Sequence, residues 1–294
     1  MDRNERYASS LKVWAQLETF HDLTYFAKEC RESYKTLGVA DSWARYFGGR
    51  AAPMGQVEPG VVTAAFYSFS HHNVEAAIPS VWKIATPEQF IAARFQGILA
   101  TWDRIMGSST LAPSAEVLAR ATRIATKISR HGERDGHPLY AANLSVQPPD
   151  DPRSQLFHAA TLIREYRGDC HNSLLAVNQI NGCEAHILMV AIGAEQRSTA
   201  QTSRGYTDAE WTHGIENLTH RGLIAKDETI TPEGRSFRSD LERRTNLLMA
   251  PLFDVVSDGE LAELQALAAP IEMAIHDSGS LPTFQRVHEL LASS

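Results

Sequence analysis

Phe157 to His171 concentrates side chains that could do chemistry, reading Phe-His-x-x-Thr-x-x-x-Glu-x-Arg-Gly-Asp-x-His. Two histidines and two carboxylates in so short a span are the right donor types for a divalent metal. His158, Glu165 and His171 are the expected ligands, and a divalent metal is the one cofactor these residues suggest. His158 and Glu165, seven apart, share a face if the segment is helical. Arg167, with Asp169 beside it, suits an anionic small molecule. A plainer reading has Arg167 and Asp169 bracing a helix corner at Gly168, with His158 as a polar core residue. If the protein is an enzyme, a metal-assisted or acid/base reaction through His158, Glu165 and His171 is expected. The residues alone leave turnover undecided.

A second constellation lies near the N-terminus, in Phe20-His21-x-x-Thr24-Tyr25-x-x-x-Glu29. On one helix His21, Tyr25 and Glu29 would form a stripe able to bind a ligand or move a proton. The alternative is a half-buried amphipathic helix with a hydrogen-bonded histidine. Both constellations begin Phe-His-x-x-Thr and end with Glu followed two residues later by Arg. A duplicated helical unit would turn His21 and His158 toward one interior cavity, with Glu165, Arg167 and His171 near its wall.

Other motifs are weaker. Gly48-Gly49-Arg50 could cradle a phosphate but lacks the lysine and hydroxyl of a P-loop. His71-His72 reads as polar capping. There is no G-x-S-x-G, H-E-x-x-H or C-x-x-C. Three cysteines, Cys30, Cys170 and Cys183, give an odd count without metal spacing, as expected of reduced thiols in a cytoplasmic protein.

The elements that must hold these residues are mostly helices. Leu17 to Leu37 reads as one helix ending at Gly38, and Asp41 to Phe47 as a short one stopped by Gly48 and Gly49, with a loop through GGRAAPMG. Thr86-Pro87-Glu88 and Ser114 are helix starts. Arg153 to Tyr166 is helical, with a break expected at Gly168. The Pro-rich stretch from His137 to Pro152 suggests a boundary between a helical N-terminal domain (1–147) and a second domain (153–294). A chain of 294 residues with 43% hydrophobic and 21% charged residues can build cores of that size. No apolar run is long enough to span a bilayer, and the N-terminus has no signal-peptide h-region.

From His171 to Phe253 the pattern is helix, helix, helix, hairpin, helix. Thr207 and Glu210 form a capping box, followed by Trp211, Ile215 and Leu218 on one face. Leu223-Ile224-Ala225 and Thr229-Ile230-Thr231 flank the turn Lys226-Asp227-Glu228, and Thr231-Pro232-Glu233-Gly234 opens the next helix. The fold class expected is therefore mainly α, with a C-terminal winged-helix-like module carrying a short β-hairpin. The Leu-x-x-Arg-Gly-Leu-Ile run (218–224) and the Thr-Pro-Glu-Gly run (231–234) make this module resemble MarR-like regulators. FHDLTYFAKE, YFGGRAAPMG, LFHAATLIREYRGDCH and RGYTDAEW resemble an uncharacterised family of actinobacterial helix-turn-helix proteins. That resemblance implies a fold and brings no catalytic residues.

Charge bears on the partner. The formal net charge is -7, which gives no general pull toward nucleic acid. Opposite the Trp211 stripe stand Asp208, Thr212, His213, Glu216, Thr219 and His220, with no lysine or arginine to read bases or phosphates. Asp227 and Glu228 at the wing tip add repulsion. Arg235, Arg238, Arg243 and Arg244 follow, paired by spacing with Asp240 and Glu242. The leading reading is a small-molecule- or metal-binding helical protein. A ligand-responsive DNA-binding regulator is the alternative, disfavoured by this charge, and a helical interaction module is the third. A small-molecule ligand and a homodimer partner are expected, and a membrane is not.

Overall fold

A computed structural model describes residues 1–282; the expected domain end at 294 lies outside the described residues. The chain forms fourteen α-helices among those residues. They are α1 (Arg3–Phe26), α2 (Lys28–Lys35), α3 (Ser42–Ala51), α4 (Pro59–Phe66), α5 (His71–Glu75), α6 (Pro87–Gly107) and α7 (Ala115–Ser129). There follow α8 (Pro138–Leu144), α9 (Pro152–Val177), α10 (Gly182–Ala191), α11 (Arg197–Arg204), α12 (Asp208–His220), α13 (Pro232–Met249) and α14 (Asp258–Asp277). No helix among the described residues is long and apolar enough to cross a membrane.

Side-chain caps set many of the starts. Thr86 accepts from the Gln89 amide while Gln89 answers the Thr86 amide, and Thr207 and Glu210 do the same for α12. Asp151 caps α9 ahead of Pro152.

Four expectations about element boundaries change. The helix expected over 17–37 is two, because Ala27 is extended (ψ 140°) between α1 and α2. Glu29 therefore leaves the His21 stripe and pairs with Arg104 at 2.6 Å. Gly48 and Gly49 do not stop α3, which runs to Ala51. A Cβ at Gly48 would sit 2.7 Å from the Phe90 ring, and one at Gly49 would sit 2.7 Å from the Tyr34 hydroxyl. These glycines allow close approach and do not end the helix. Gly168 does not break α9 either. Asp169, Cys170, Leu174 and Leu175 beyond it are all buried, and their burial outweighs the roughly 1 kcal/mol a helical glycine costs.

The hairpin is the fourth. Leu223–Thr231 contributes a single antiparallel bridge, Ile224 to Ile230, and no strand ladder exists among the described residues. The arms are too short, since Gly222 (φ +71°) ends one helical stretch and Pro232 begins the next. At the tip the Asp227 carboxylate takes both the amide and the hydroxyl of Thr229.

Three hydrophobic cores result. The first joins α1, α6, α7, α9 and α14 around Phe20, Trp102, Phe157 and Leu261, drawing on both sides of residues 148–152. The second packs Phe47, Phe66, Phe69, Trp82 and Phe90. The third gathers Leu174, Ile187, Trp211, Leu218 and Leu241. In it α11 and α12 are joined by the short turn Gly205-Tyr206-Thr207, with Gly205 left-handed (φ +76°), a helix-turn-helix arrangement. Trp211 and Leu218 are fully buried, as expected of the apolar stripe, and Ile215 packs at the edge. No separate α11 is expected from the sequence.

The contact between α2 and α6 depends on Gly97, where a Cβ would lie 2.6 Å from the Cys30 Cα. Gly97→Ala should destabilise the protein by about 1–3 kcal/mol. Gly107→Ala, where no neighbour lies within 4 Å, should stay within about 0.5 kcal/mol of wild type. Urea unfolding midpoints of the two variants check the contrast.

Candidate functional site

A cavity of about 110 Å³ opens between α1, α2, α3, α6 and α9. Its wall carries four arginines (Arg31, Arg45, Arg50 and Arg94), three tyrosines (Tyr25, Tyr34 and Tyr46), His21 and one carboxylate, Glu165. Glu165 is 2% exposed and organises the wall. Arg50 grips it with two bonds, Nε to Oε1 at 3.2 Å and Nη2 to Oε2 at 3.0 Å. Arg164 adds a third at 2.8 Å and also pairs with Glu18 at 3.5 Å. Burial alone would raise the Glu165 pKa, but the Arg164 and Arg50 charges outweigh it and hold the carboxyl well below its usual range. Arg50 lies over the Phe66 ring at 4.2 Å.

His21 is saturated. Thr161 donates its hydroxyl to the Phe157 carbonyl at 3.0 Å, so it accepts from His21 Nδ1 at 3.0 Å. That leaves Nε2 to accept from the Tyr25 hydroxyl at 3.0 Å. Burial lowers the His21 pKa well below normal and raises that of Tyr25, so the pair is neutral. Arg94 is the opposite case. It is 4% exposed, lines the cavity, and its Nε and Nη2 have no hydrogen-bond partner among the described residues. Burial lowers its pKa, and no salt bridge opposes that among the described residues.

The structure brings His21, Tyr25 and Glu165 to this cavity and places the other candidates elsewhere. The two Phe-His-x-x-Thr segments do meet, with Phe20 and Phe157 5.8 Å apart and His21 stacked on Phe157. Yet His158 faces a different cavity, beside Ser129, Arg130 and Gln155, with both ring nitrogens lacking a hydrogen-bond partner among the described residues. His21 and His158 therefore do not share one cavity. Arg167 lies over the Trp14 ring at 4.0 Å and binds Glu242 at 2.7 Å and Asn246, bracing α9 on α13. His171 meets Thr245 of α13 at 3.0 Å. Asp169 accepts the Tyr140 amide at 3.0 Å, and burial pushes its pKa up to about 7. Thus His158, Glu165 and His171 do not converge. No group of three or more His, Cys, Asp or Glu side chains that could hold a metal is gathered among the described residues.

Sequence reasoning missed Arg94 and Arg164 and placed Arg50 in a phosphate loop. A signal for Arg94 existed, since it stands between Phe90 and Ile98 at four-residue spacing, on the apolar face of α6.

Burial lowers the pKa of His158 to about 3 and of His171 to about 4. A histidine lowered in the fold takes its proton more readily when unfolded. Its contribution is whole above about pH 6.5 and is lost as pH falls toward the folded value. Asp169, raised to about 7, acts in the opposite sense, since the fold takes up its proton first as pH falls. Stability should still drop in mild acid, and His158→Leu should remove about 2 kcal/mol of the loss between about pH 7 and about pH 5. Chemical denaturation at the two pH values measures the difference.

No curated protein and no solved structure matches the chain. A family model described as "Helix-turn-helix family" matches residues 10–282. The match takes in both the arginine-lined cavity and the α11–α12 turn, and the chain belongs to this helix-turn-helix family.

Proposed function

We propose that this is a ligand-binding helix-turn-helix protein in which the arginine-lined cavity is the input and α10–α13 the output. The observation that carries the reading is the segment from Phe66 to Asn73, which touches both. At one end Phe66 lies under Arg50 of the cavity. At the other, the Ser70 amide donates to the Arg204 carbonyl at 3.0 Å, and Gly205 packs so closely on Asn73 that a Cβ would come within 2.6 Å. Between them Tyr67 holds a positive φ (+64°, ψ -47°) at the centre of a tight turn, a strained state for a tyrosine, and donates its hydroxyl to the Ile180 carbonyl at 2.7 Å. Movement of Arg50 or Phe66 on ligand binding would thus reach the helix-turn-helix by direct contact.

The output face suits DNA poorly. Asp208, Glu210 and Glu216 are exposed on α12, and Glu228 at the tip of the following turn is paired with Arg197. Arg243 and Arg244 of α13 both pair with Asp240. A second reading, a ligand-responsive DNA-binding regulator with a winged-helix-like module in the MarR-like manner, is favoured by family membership and by Arg235, which is exposed and has no ion-pair partner among the described residues.

Two measurements test these readings. Fluorescence anisotropy with a mixed-sequence duplex at physiological salt should give a Kd no tighter than about 1 μM. Selection of a defined duplex bound about a thousandfold more tightly would promote the regulator. Tyr67→Phe removes one hydrogen bond worth about 1 kcal/mol, so amide exchange in α10–α12 should quicken about fivefold with α14 unchanged. Unchanged exchange in α10–α12 would detach the cavity from the output.

A further inference from the structure

We infer that the cavity binds a small organic monocarboxylate, with Arg94 as its counter-charge. The inference rests on the ligand-binding reading above and assigns the chemical class.

The charges around the cavity determine the assignment. Glu165 is consumed by Arg50 and Arg164. The guanidinium of Arg31 donates to the Phe26 carbonyl, and that of Arg45 to the carbonyls of Val39 and Ala40. Arg94 alone among these is buried with no hydrogen-bond partner for Nε and Nη2 among the described residues, its guanidinium lying 5.7 Å from the Phe95 ring centroid. A buried guanidinium cannot shed its proton as a lysine would, so its charge needs a negative group from elsewhere. The neighbouring Tyr34 phenol, pushed up to about 12 mainly by burial, is neutral and cannot supply it.

Shape narrows the anion. Nε and Nη2 form one edge of the guanidinium, a two-donor fork that fits a planar carboxylate. The same edge of Arg50 already holds the Glu165 carboxylate in this manner, at 3.2 and 3.0 Å. One unpaired buried cation calls for one negative charge. A dianion such as phosphate would bring a second charge close to Glu165. A volume of about 110 Å³ limits the body of the ligand to a few carbons or a small ring. Thr24, Ser42 and Tyr25 hydroxyls on the same wall can orient it.

The test uses the full chain, with titration calorimetry and thermal unfolding at constant ionic strength. The probes are sodium butyrate and sodium benzoate, their uncharged amides butyramide and benzamide, and sodium phosphate. Both carboxylates should raise the melting temperature, and each should bind at least about tenfold more tightly than its amide. Arg94→Met removes a buried unpaired charge, so it should melt no lower than wild type and lose carboxylate binding. Arg94→Lys keeps the charge without the fork and should weaken binding at least about tenfold. Carboxylate affinity unchanged in both variants, or phosphate bound in preference to both carboxylates, overturns the assignment. Equal binding of amides and acids keeps the cavity as a ligand site and overturns its charge class. Carboxylate binding through Arg94 without altered exchange in α11 and α12 supports the ligand class and removes the input–output reading.

Discussion

Glu165 is shared by two guanidiniums, Arg50 from α3 and Arg164 one residue before it on α9, while Arg164 also reaches Glu18 on α1. Three helices far apart in sequence are registered by one buried carboxylate. Such a cluster is a poor source of net stability, because desolvating the charges offsets most of their attraction. Its effect is specificity. Losing any one partner would leave an uncompensated buried charge, at a cost of about 3–5 kcal/mol, so alternative packings of α1, α3 and α9 are penalised. Of the cavity's arginines, Arg50 turns inward to reach Glu165, while Arg31 and Arg45 bond main-chain carbonyls.

Much of the helical frame was legible from local chemistry. Thr207 with Glu210, Thr86 with Pro87, and Ser114 are caps whose partners lie within three residues, and each starts a helix where the pattern places it. The misreadings share a cause. Gly48, Gly49 and Gly168 read as breaks because glycine is locally disfavoured in helices, but tertiary contacts decide these positions. The break at Ala27 has no local signature. For the cavity, His21, Tyr25 and Glu165 were visible as residue types. Their partners were not, because Arg50 and Arg94 come from helices whose neighbours in space are remote in sequence. His158 and His171 drew attention for their chemistry, and burial in separate places disperses them.

α9 gives the fold its continuity. Its 26 residues span about 39 Å at the usual helical rise. Phe157 and Ile163 sit in the first core, Glu165 in the cavity, and Leu174 and Leu175 in the helix-turn-helix core. Arg167 and His171 fasten its middle to α13. The helix-turn-helix is therefore held from two sides, by α9 through packing and by the segment around Tyr67 through main-chain contacts.

The five tryptophans are distributed so that each core carries its own. Trp14 and Trp102 belong to the first, Trp82 to the second with Trp43 packed against it, and Trp211 to the third. Their surroundings differ optically. Trp14 lies beneath the Arg167 cation, Trp43 stands 5.8 Å from the Tyr46 ring at the cavity wall, and Trp211 is sealed from solvent. Intrinsic emission from this chain is consequently a sum over indoles in different surroundings. Versions retaining a single indole would let the cavity side and the helix-turn-helix be watched independently, without an attached dye.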